Sequence, residues 1–425
     1  MHRYHIASLI LLLLSLQNLL ASKTPNQTIS TRLLAWAKPY KTSLSNCSTD
    51  LFKELLPSKY VIEEHSVTTD DGYILMLFRV NLAAAEKAKL PDTYKGNVKK
   101  VIFLQHGLED SADGMFYNKE KSVGFYVVDR GYDVWVGNNR GCKYCRVHTN
   151  SDISDKEFFD FSFDEMGLYD LPANYKYVLA ATGVEKLTYI GHSMGTSQFF
   201  AAALDPTTRD LVNAHTEKFI ALAPIVYMNY GGSLAIKLLA PIKDILKFAG
   251  DTLGMYDFFP SPCLNEPGWA KLVTWACNTL SLLCDNVIPG INIDQTVDNV
   301  LDNGPDLITH YPAGTSLKCL IKYAQAIDMG DKEKFVKFNY GYFGNISKYG
   351  SSKVPEWDIT LFKIDTALVG ATRDEFGSEQ DVANLSSNLP VASTRTYVMP
   401  NWDHVTFLFA RDPSPLFAVL EKELP

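Results

Sequence analysis

The sequence predicts an α/β protein with a mostly parallel central sheet, helices on both faces of the sheet and one inserted helical segment. Short apolar runs alternate with helical segments as far as residue 224, which is typical of a parallel sheet covered on both sides. The alternation stops for about 130 residues and returns near the C-terminus. The 425 residues, 46% of them hydrophobic, are enough for a large core with an insertion.

The individual elements follow in chain order. Val61–Thr68 and Tyr73–Val80 are predicted as an antiparallel hairpin around Asp71-Gly72. Further strands are predicted at Val101–Gln105, Tyr132–Val136, Leu187–Ile190, Phe219–Ala223, Thr366–Val369 and Thr394–Val398, with helices at Glu165–Ala181, Thr196–Leu204 and Leu416–Leu424. The chain therefore divides into a first core segment at 58–224, an insertion at 225–356, which is helical or irregular, and a last core segment at 357–425.

The N-terminus has the pattern of a targeting segment. Arg3 precedes an apolar run, Ile6–Leu16, and Ala21-Ser22 offers small residues for cleavage. Gln17 stops this run short of the roughly 20 apolar residues that a membrane span needs. We therefore predict a signal peptide at 1–22, with a signal anchor as the alternative, an N-terminal extension at 23–57, and no membrane span after cleavage. Sequons predict N-glycosylation at Asn26, Asn46, Asn345 and Asn384.

The charge balance excludes some classes of partner. The formal net charge is −8, so nothing in the composition indicates binding to nucleic acid or to an anionic membrane surface.

Seven cysteines suit an oxidising compartment, and their odd number leaves at least one unpaired. Cys277 and Cys284 lie seven residues apart in an apolar run. If that run is one helix, their Cα atoms are about 10.5 Å apart, beyond the roughly 7 Å limit for a disulfide. Cys263 with Cys277 is then the better candidate pair.

The other cysteines have different surroundings. Cys142 and Cys145 form a C-x-x-C pattern in a polar loop, where we expect a small disulfide loop rather than a redox-active dithiol. A zinc site would need a second pair of ligands nearby, and none is evident, so no metal is predicted. Cys319 lies in an apolar run and is predicted to be a buried free thiol.

A serine lies between two glycines in Gly191–Gly195, a G-x-S-x-G pattern directly after an apolar run. A strand that turns sharply into a helix at this point exposes the hydroxyl of Ser193 above the sheet. Functional groups collect at the carboxyl ends of parallel strands. Of nine histidines only His404 follows the last predicted strand, and Asp374 follows the strand before it. The order Ser193, Asp374, His404 is the one that α/β-hydrolase enzymes use.

These residue types predict acyl transfer through a covalent intermediate. His404 would take the proton of Ser193, and Asp374 would orient the imidazole, with Glu375 or Asp381 as alternative acids. The backbone N–H groups of Met194 and Leu108 are the candidate oxyanion donors. Two further histidines have other expected roles: His106 shapes the oxyanion loop, and His192 is an elbow residue without proton chemistry.

Several motifs resemble the acid lipase family of the α/β-hydrolases, the family of gastric lipase and lysosomal acid lipase. They are Asp70–Leu75, Leu104–Leu108, Gly131–Gly141, Asp170–Ala173 and His310–Ser316, in the family's order. The chain departs from the family pattern at Met194, where the family usually has Gln, and at Ala371, Thr372 and Val405–Phe407.

The resemblance implies a secreted or lysosomal enzyme that hydrolyses carboxylic esters of neutral lipids at a lipid–water interface, without metal or cofactor. Its substrates would be triacylglycerols, steryl esters or both. It also implies that the insertion at 225–356 forms a cap and lid. A soluble-ester esterase or an acyltransferase on the same fold, and a non-catalytic lipid-binding member, remain as alternatives.

Overall fold

The computed structural model describes residues 51–231, 247, 250–252, 254–261, 310–329 and 334–425. The strands are β1 (Tyr60–Thr68), β2 (Tyr73–Leu82), β3 (Val101–Gln105), β4 (Asp133–Gly137), β5 (Val147–His148), β6 (Leu187–His192), β7 (Thr216–Leu222), β8 (Asp257–Phe258), β9 (Thr315–Ser316), β10 (Thr366–Ala371) and β11 (Arg395–Met399). The helices are α1 (Leu51–Glu54), α2 (Ala84–Lys87), α3 (Val123–Val128), α4 (Asp155–Phe158), α5 (Phe163–Glu165), α6 (Leu171–Thr182), α7 (Met194–Leu204), α8 (Arg209–His215), α9 (Leu317–Asp328), α10 (Gly341–Tyr349), α11 (Glu379–Asn388), α12 (Thr406–Phe409) and α13 (Ser414–Glu423).

The main sheet has the order β1-β2-β4-β3-β6-β7-β10-β11, with β5 paired to β2. Every neighbouring pair from β4 to β11 is parallel, whereas β2 is antiparallel to β1, β4 and β5. The predicted fold class, a mostly parallel sheet in an α/β protein, is confirmed. The predicted hairpin is β1 and β2, one to two residues longer at its ends.

The parallel strands are continuous apolar runs because both faces of the sheet are covered. Every residue of β3, β4, β6 and β10 is buried. Successive residues then belong to opposite cores, as the two-residue period of a strand requires. In β3, Phe103 packs into one cluster together with Tyr189, and Ile102 and Leu104 pack into the other together with Ile190.

A buried ion-pair network joins three of the sequence motifs. The Arg140 guanidinium donates to Asp170 Oδ1 at 2.5 Å and to Asp71 Oδ2 at 2.6 Å. Its central carbon also lies 3.9 Å from the centroid of the Tyr73 ring. The side chains of Arg140 and Asp170 are 1% and 2% exposed. Each charge of this network is therefore paired, as the burial of an ion requires.

The part of the insertion that the structure describes contains α9, α10 and the short pair β8–β9, so the expectation of purely helical or irregular structure missed these two short strands. Two ion pairs link helix α9 to helix α5 of the core: Lys318 Nζ lies 3.3 Å from Glu165 Oε1, and Lys322 Nζ lies 3.4 Å from Asp164 Oδ1.

Two predictions about side chains need correction. Cys142 and Cys145 are buried free thiols rather than a disulfide in a polar loop. Both sulfurs contact Asn138: Cys145 donates to its backbone carbonyl at 3.4 Å, and Cys142 donates to its side-chain oxygen at 3.8 Å. Cys319 is a buried free thiol, as expected, and burial raises the pKa of this thiol to about 11.

Asn345 is the second correction, since it cannot carry a glycan in this fold. The residue is 2% exposed. Its amide nitrogen donates to Asn339 Oδ1 at 2.9 Å and to the Ser352 carbonyl at 3.2 Å, and its oxygen accepts from the Tyr340 N–H at 2.8 Å. The carboxamide is thus used to hold the start of α10. Asn384 is half-buried on α11 and remains a predicted acceptor.

Other predictions lie outside the described residues: the signal peptide at 1–22, the glycosylation candidates Asn26 and Asn46, and the cysteine pair Cys263 and Cys277. Among the residues that are described, no helix is both long enough and apolar enough to cross a membrane.

Candidate active site

Ser193 occupies the sharp turn between strand β6 and helix α7. Its backbone angles, φ 53° and ψ −119°, are strained for a residue with a side chain. The flanking glycines allow the strand and the helix to approach. A Cβ on Gly195 would lie 2.6 Å from the Gln105 carbonyl oxygen, and one on Gly191 would lie 2.9 Å from the backbone of Gly195. No residue with a side chain fits either position without a shift of the backbone.

The three residues of the proposed relay meet above the carboxyl ends of the parallel strands. His404 Nε2 lies 2.7 Å from Ser193 Oγ, and His404 Nδ1 lies 2.8 Å from Asp374 Oδ2. The Asp374 side chain is fully buried, and that of His404 is 13% exposed. The second oxygen of Asp374 accepts the N–H groups of Phe376 and Gly377, both at 2.9 Å. Both carboxylate oxygens are thus satisfied without water.

Backbone bonds between two neighbouring loops set the distance from Asp374 to His404. The N–H of Thr372 donates to the Met399 carbonyl at 3.1 Å, and that of Arg373 donates to the Trp402 carbonyl at 2.9 Å. The alternative acids have other positions. Glu375 is half-buried, and Asp381 Oδ1 accepts the Asn229 N–H at 2.9 Å. Neither has a hydrogen bond to His404 in the structure.

The candidate oxyanion loop lies directly beside the serine. A Cβ on Gly107 would be 2.9 Å from the Ser193 Cβ. The N–H of Met194 is the first of helix α7, so it has no acceptor within the helix. Leu108 follows Gly107 and is half-buried. The His106 ring holds the loop, since Nδ1 donates to the Gly107 carbonyl at 2.8 Å and Nε2 accepts the Asn139 N–H at 3.0 Å.

His192 packs under this site but is unsuited to carry a proton. Its Nε2 donates to the His404 carbonyl at 2.9 Å. Burial, and next the neighbouring His404, lower the pKa of His192 to about 3. His192 is therefore neutral at all ordinary pH values, and its role is to support the histidine loop.

Two family models match the chain. The model of the alpha/beta hydrolase fold matches residues 100–410, and the model of a partial alpha/beta-hydrolase lipase region matches residues 56–119.

The chain belongs to the lipase family of the α/β-hydrolases.

Named relatives agree with this assignment. The gastric triacylglycerol lipase of Bos taurus is 35% identical over 362 residues, which is 83% of this chain and 85% of that protein. The lysosomal acid lipase/cholesteryl ester hydrolase of Rattus norvegicus is 32% identical over 359 residues, 82% of this chain and 84% of that protein. Among solved structures, an epoxide hydrolase from Bacillus megaterium matches with a TM-score of 0.49 at 12% identity, over 85% of this chain and 99% of that one. The resemblance predicted from the motifs is confirmed.

The sequence does not predict one group of buried charged residues near the site of this lipase-family chain. Glu109, Asp110 and Asp113 are all buried directly after the oxyanion loop. Lys143 and His310 both pair with Asp113 Oδ2, the histidine at 2.5 Å. A signal was present, because three acids within five residues follow the motif Leu104–Leu108. Acidic residues are so often at the surface that their burial could not be inferred.

The described residues contain no cluster of three or more His, Cys, Asp or Glu side chains arranged to hold a metal ion.

Proposed function

We propose that this chain is a lipase that hydrolyses carboxylic esters of neutral lipids through an acyl-enzyme on Ser193. The observation that carries the proposal is the continuous chain of hydrogen bonds from Ser193 Oγ through His404 to Asp374, at 2.7 and 2.8 Å. A serine hydroxyl becomes a nucleophile only when a base of this kind removes its proton.

The chemistry follows from the direction of each bond. Ser193 Oγ attacks the ester carbonyl carbon while His404 Nε2 accepts the hydroxyl proton, and Asp374 stabilises the imidazolium through Nδ1–H. The N–H groups of Leu108 and Met194 would bind the oxyanion that forms. When the tetrahedral intermediate collapses, the C–O bond to the alcohol breaks and His404 returns the proton to the leaving oxygen. Water, activated by the same histidine, then releases the fatty acid.

A neutral lipid is the proposed substrate because of the family and the insertion. The two relatives described above are named for triacylglycerol and cholesteryl ester hydrolysis. Residues 225–356, between strands β7 and β10, would form the cap and lid over the acyl pocket. Two residues of this insertion contact helix α7, which begins directly after Ser193. The Ser197 hydroxyl on α7 donates to the Ile225 carbonyl at 2.5 Å, and the same hydroxyl lies 3.1 Å from that of Tyr323 on α9. Movement of the cap would therefore also move helix α7, which begins directly after Ser193.

The proposal includes the route of the protein. A signal peptide at 1–22 would send the chain to the secretory pathway, for secretion or delivery to lysosomes, with glycans at Asn26, Asn46 and Asn384. Endoglycosidase treatment should lower the mass of the secreted chain, and an N384Q variant should lose one glycan. An unchanged mass would contradict this part of the proposal.

The direct test compares Ser193→Ala with wild type on emulsified trioleoylglycerol, emulsified cholesteryl oleate and a dissolved butyrate ester. The exposed Ser352 provides the matched control, Ser352→Ala. We expect wild type and the control to hydrolyse at least one emulsion, and Ser193→Ala to hydrolyse none. Wild-type activity on the dissolved ester alone would instead identify a soluble-ester esterase. Transfer of the acyl group to added alcohol in preference to water would identify an acyltransferase.

A further inference from the structure

The two residues after Leu108 bring carboxyl groups into the protein interior beside the candidate oxyanion hole. Glu109 is 2% exposed and Asp110 is 5% exposed. Oε1 of Glu109 and Oδ2 of Asp110 have no hydrogen-bond partner among the described residues. Buried carboxylates normally have both oxygens paired, because an ionised group without partners is costly to desolvate. The observed environment suits a neutral carboxylic acid.

The charged groups around this pair do not neutralise it. The Tyr311 hydroxyl lies 3.5 Å from Glu109 Oε2, at the outer limit of a hydrogen bond. Asp110 Oδ1 accepts the Ser111 N–H at 2.7 Å. The titratable groups facing Asp110 are His106, Asp113 and Lys143. Lys143 and His310 both pair with Asp113 Oδ2, and His106 and Lys143 lower the pKa of Asp110 by less than desolvation raises it.

Glu109 is also held in an unusual backbone conformation. Its φ is 60°, in the left-handed region that a residue with a side chain seldom adopts. The Glu109 carbonyl accepts the Ala313 N–H at 2.6 Å, and the Ala313 carbonyl accepts the Lys143 N–H at 2.7 Å. These bonds join the loop to Ala313, within the insertion at 225–356. Because Glu109 directly follows Leu108, we expect a displacement of Glu109 to move Leu108 and its N–H, the candidate oxyanion donor, as well.

We propose that Glu109, assisted by Asp110, is a positioning residue that holds the oxyanion loop in its active form only while these two carboxyl groups carry their protons. The inference rests on the proposed function of Ser193 and Leu108. Ionisation would introduce negative charge into a water-excluded interior, next to the loop that must bind the oxyanion. The loop would then shift towards solvent, and the oxyanion would lose one of its two donors.

The direction of the pH dependence follows from burial. Desolvation is the main cause that raises the pKa of Glu109 to about 8 and that of Asp110 to about 6. A carboxyl group whose folded pKa exceeds its unfolded value stabilises the fold at low pH. This contribution is lost as the pH rises through about 6 and then through about 8. The active loop is therefore favoured on the acid side of neutrality.

The test is the pH profile of kcat and of kcat/KM for a dissolved ester, from pH 4 to 9, for wild type, Glu109→Gln and Asp110→Asn. An exposed acid near this segment provides the control, Glu120→Gln. A group with a pKa of about 8 leaves about a tenth of the molecules in the active form at pH 9. We expect the fall between pH 7 and 9 to be about tenfold larger in wild type and in the control than in Glu109→Gln, in which only the ionisation of Asp110 remains.

A fall of wild-type size in Glu109→Gln would overturn the proposal. If Glu109→Gln does not fold, Asp110→Asn decides in the same way between pH 5 and 7. Failure of the proposed function has a different signature, since wild type would then lack hydrolysis at pH 5 as well. The melting temperature of wild type should also fall from pH 5 to 9 more steeply than that of either amide variant, a change that no defect confined to substrate binding would produce.

Discussion

Asp374→Asn is the substitution for which the structure predicts the most specific consequence. Oδ1 of Asp374 accepts two backbone N–H groups, from Phe376 and Gly377 at 2.9 Å, so the oxygen of an asparagine must remain there. The amide nitrogen then takes the position of Oδ2 and donates towards His404 Nδ1, now 2.8 Å away. Nδ1 must become an acceptor, and the imidazole proton moves to Nε2. His404 would face Ser193 with a donor and could no longer accept the hydroxyl proton.

The expected loss is large because the base is disabled while the fold is retained. The equivalent change in serine hydrolases with the same relay costs on the order of 10⁴-fold in kcat, about 5.4 kcal/mol of transition-state stabilisation. KM should change little, because Asp374 is buried and does not face the substrate. The assay is steady-state hydrolysis of a dissolved p-nitrophenyl butyrate, with circular dichroism as a check of folding.

The matched control is Glu375→Gln, a neighbouring acid that has no bond to His404 in the structure. It should retain activity close to wild type. Loss of less than about tenfold in Asp374→Asn, or an equal loss in Glu375→Gln, would refute the reasoning about the tautomer.

Two further predictions concern the fold around the site. Gly195→Ala would place a Cβ 2.6 Å from the Gln105 carbonyl oxygen, so the turn must open; we expect loss of most ester hydrolysis and a lower melting temperature, and an active, equally stable variant would contradict the reasoning. Asp170→Asn removes one of the two acids that pair with the fully buried Arg140, so we expect about 3–5 kcal/mol of destabilisation in chemical denaturation. A loss below about 1 kcal/mol there would show that Asp71 alone is a sufficient partner.

Much of the fold could be predicted because parallel strands covered on both faces leave a plain signal. The sequence predicts both ends of β3 correctly, since Val101–Gln105 is a short apolar run that ends at a polar loop. The apolar pattern begins β7 three residues too late, at Phe219, because the first part of the strand, Thr216–Lys218, is polar. The Thr216 hydroxyl donates to the Val212 carbonyl at 2.7 Å, a local bond to the end of helix α8 that no apolar pattern reports.

The candidate site, like the fold, could be predicted from the sequence only in part. Ser193 and His404 follow from strand ends and spacing, which the sequence displays. The preference for Asp374 over Glu375 depends on backbone bonds from Thr372 and Arg373 to the neighbouring loop, which are contacts between distant segments. The burial of Glu109 and of Asn345 was missed for a related reason: residue type alone predicts exposure for both.

The account depends most on Ser193 being the nucleophile, and covalent labelling tests this directly. An organophosphonate ester should react with the wild-type chain, as Ser193 Oγ displaces the leaving group from phosphorus. Mass spectrometry of the digested protein should find one adduct, on the peptide that contains Gly191–Gly195, and none in Ser193→Ala. An adduct on another residue, or wild-type ester hydrolysis by Ser193→Ala, would contradict the account.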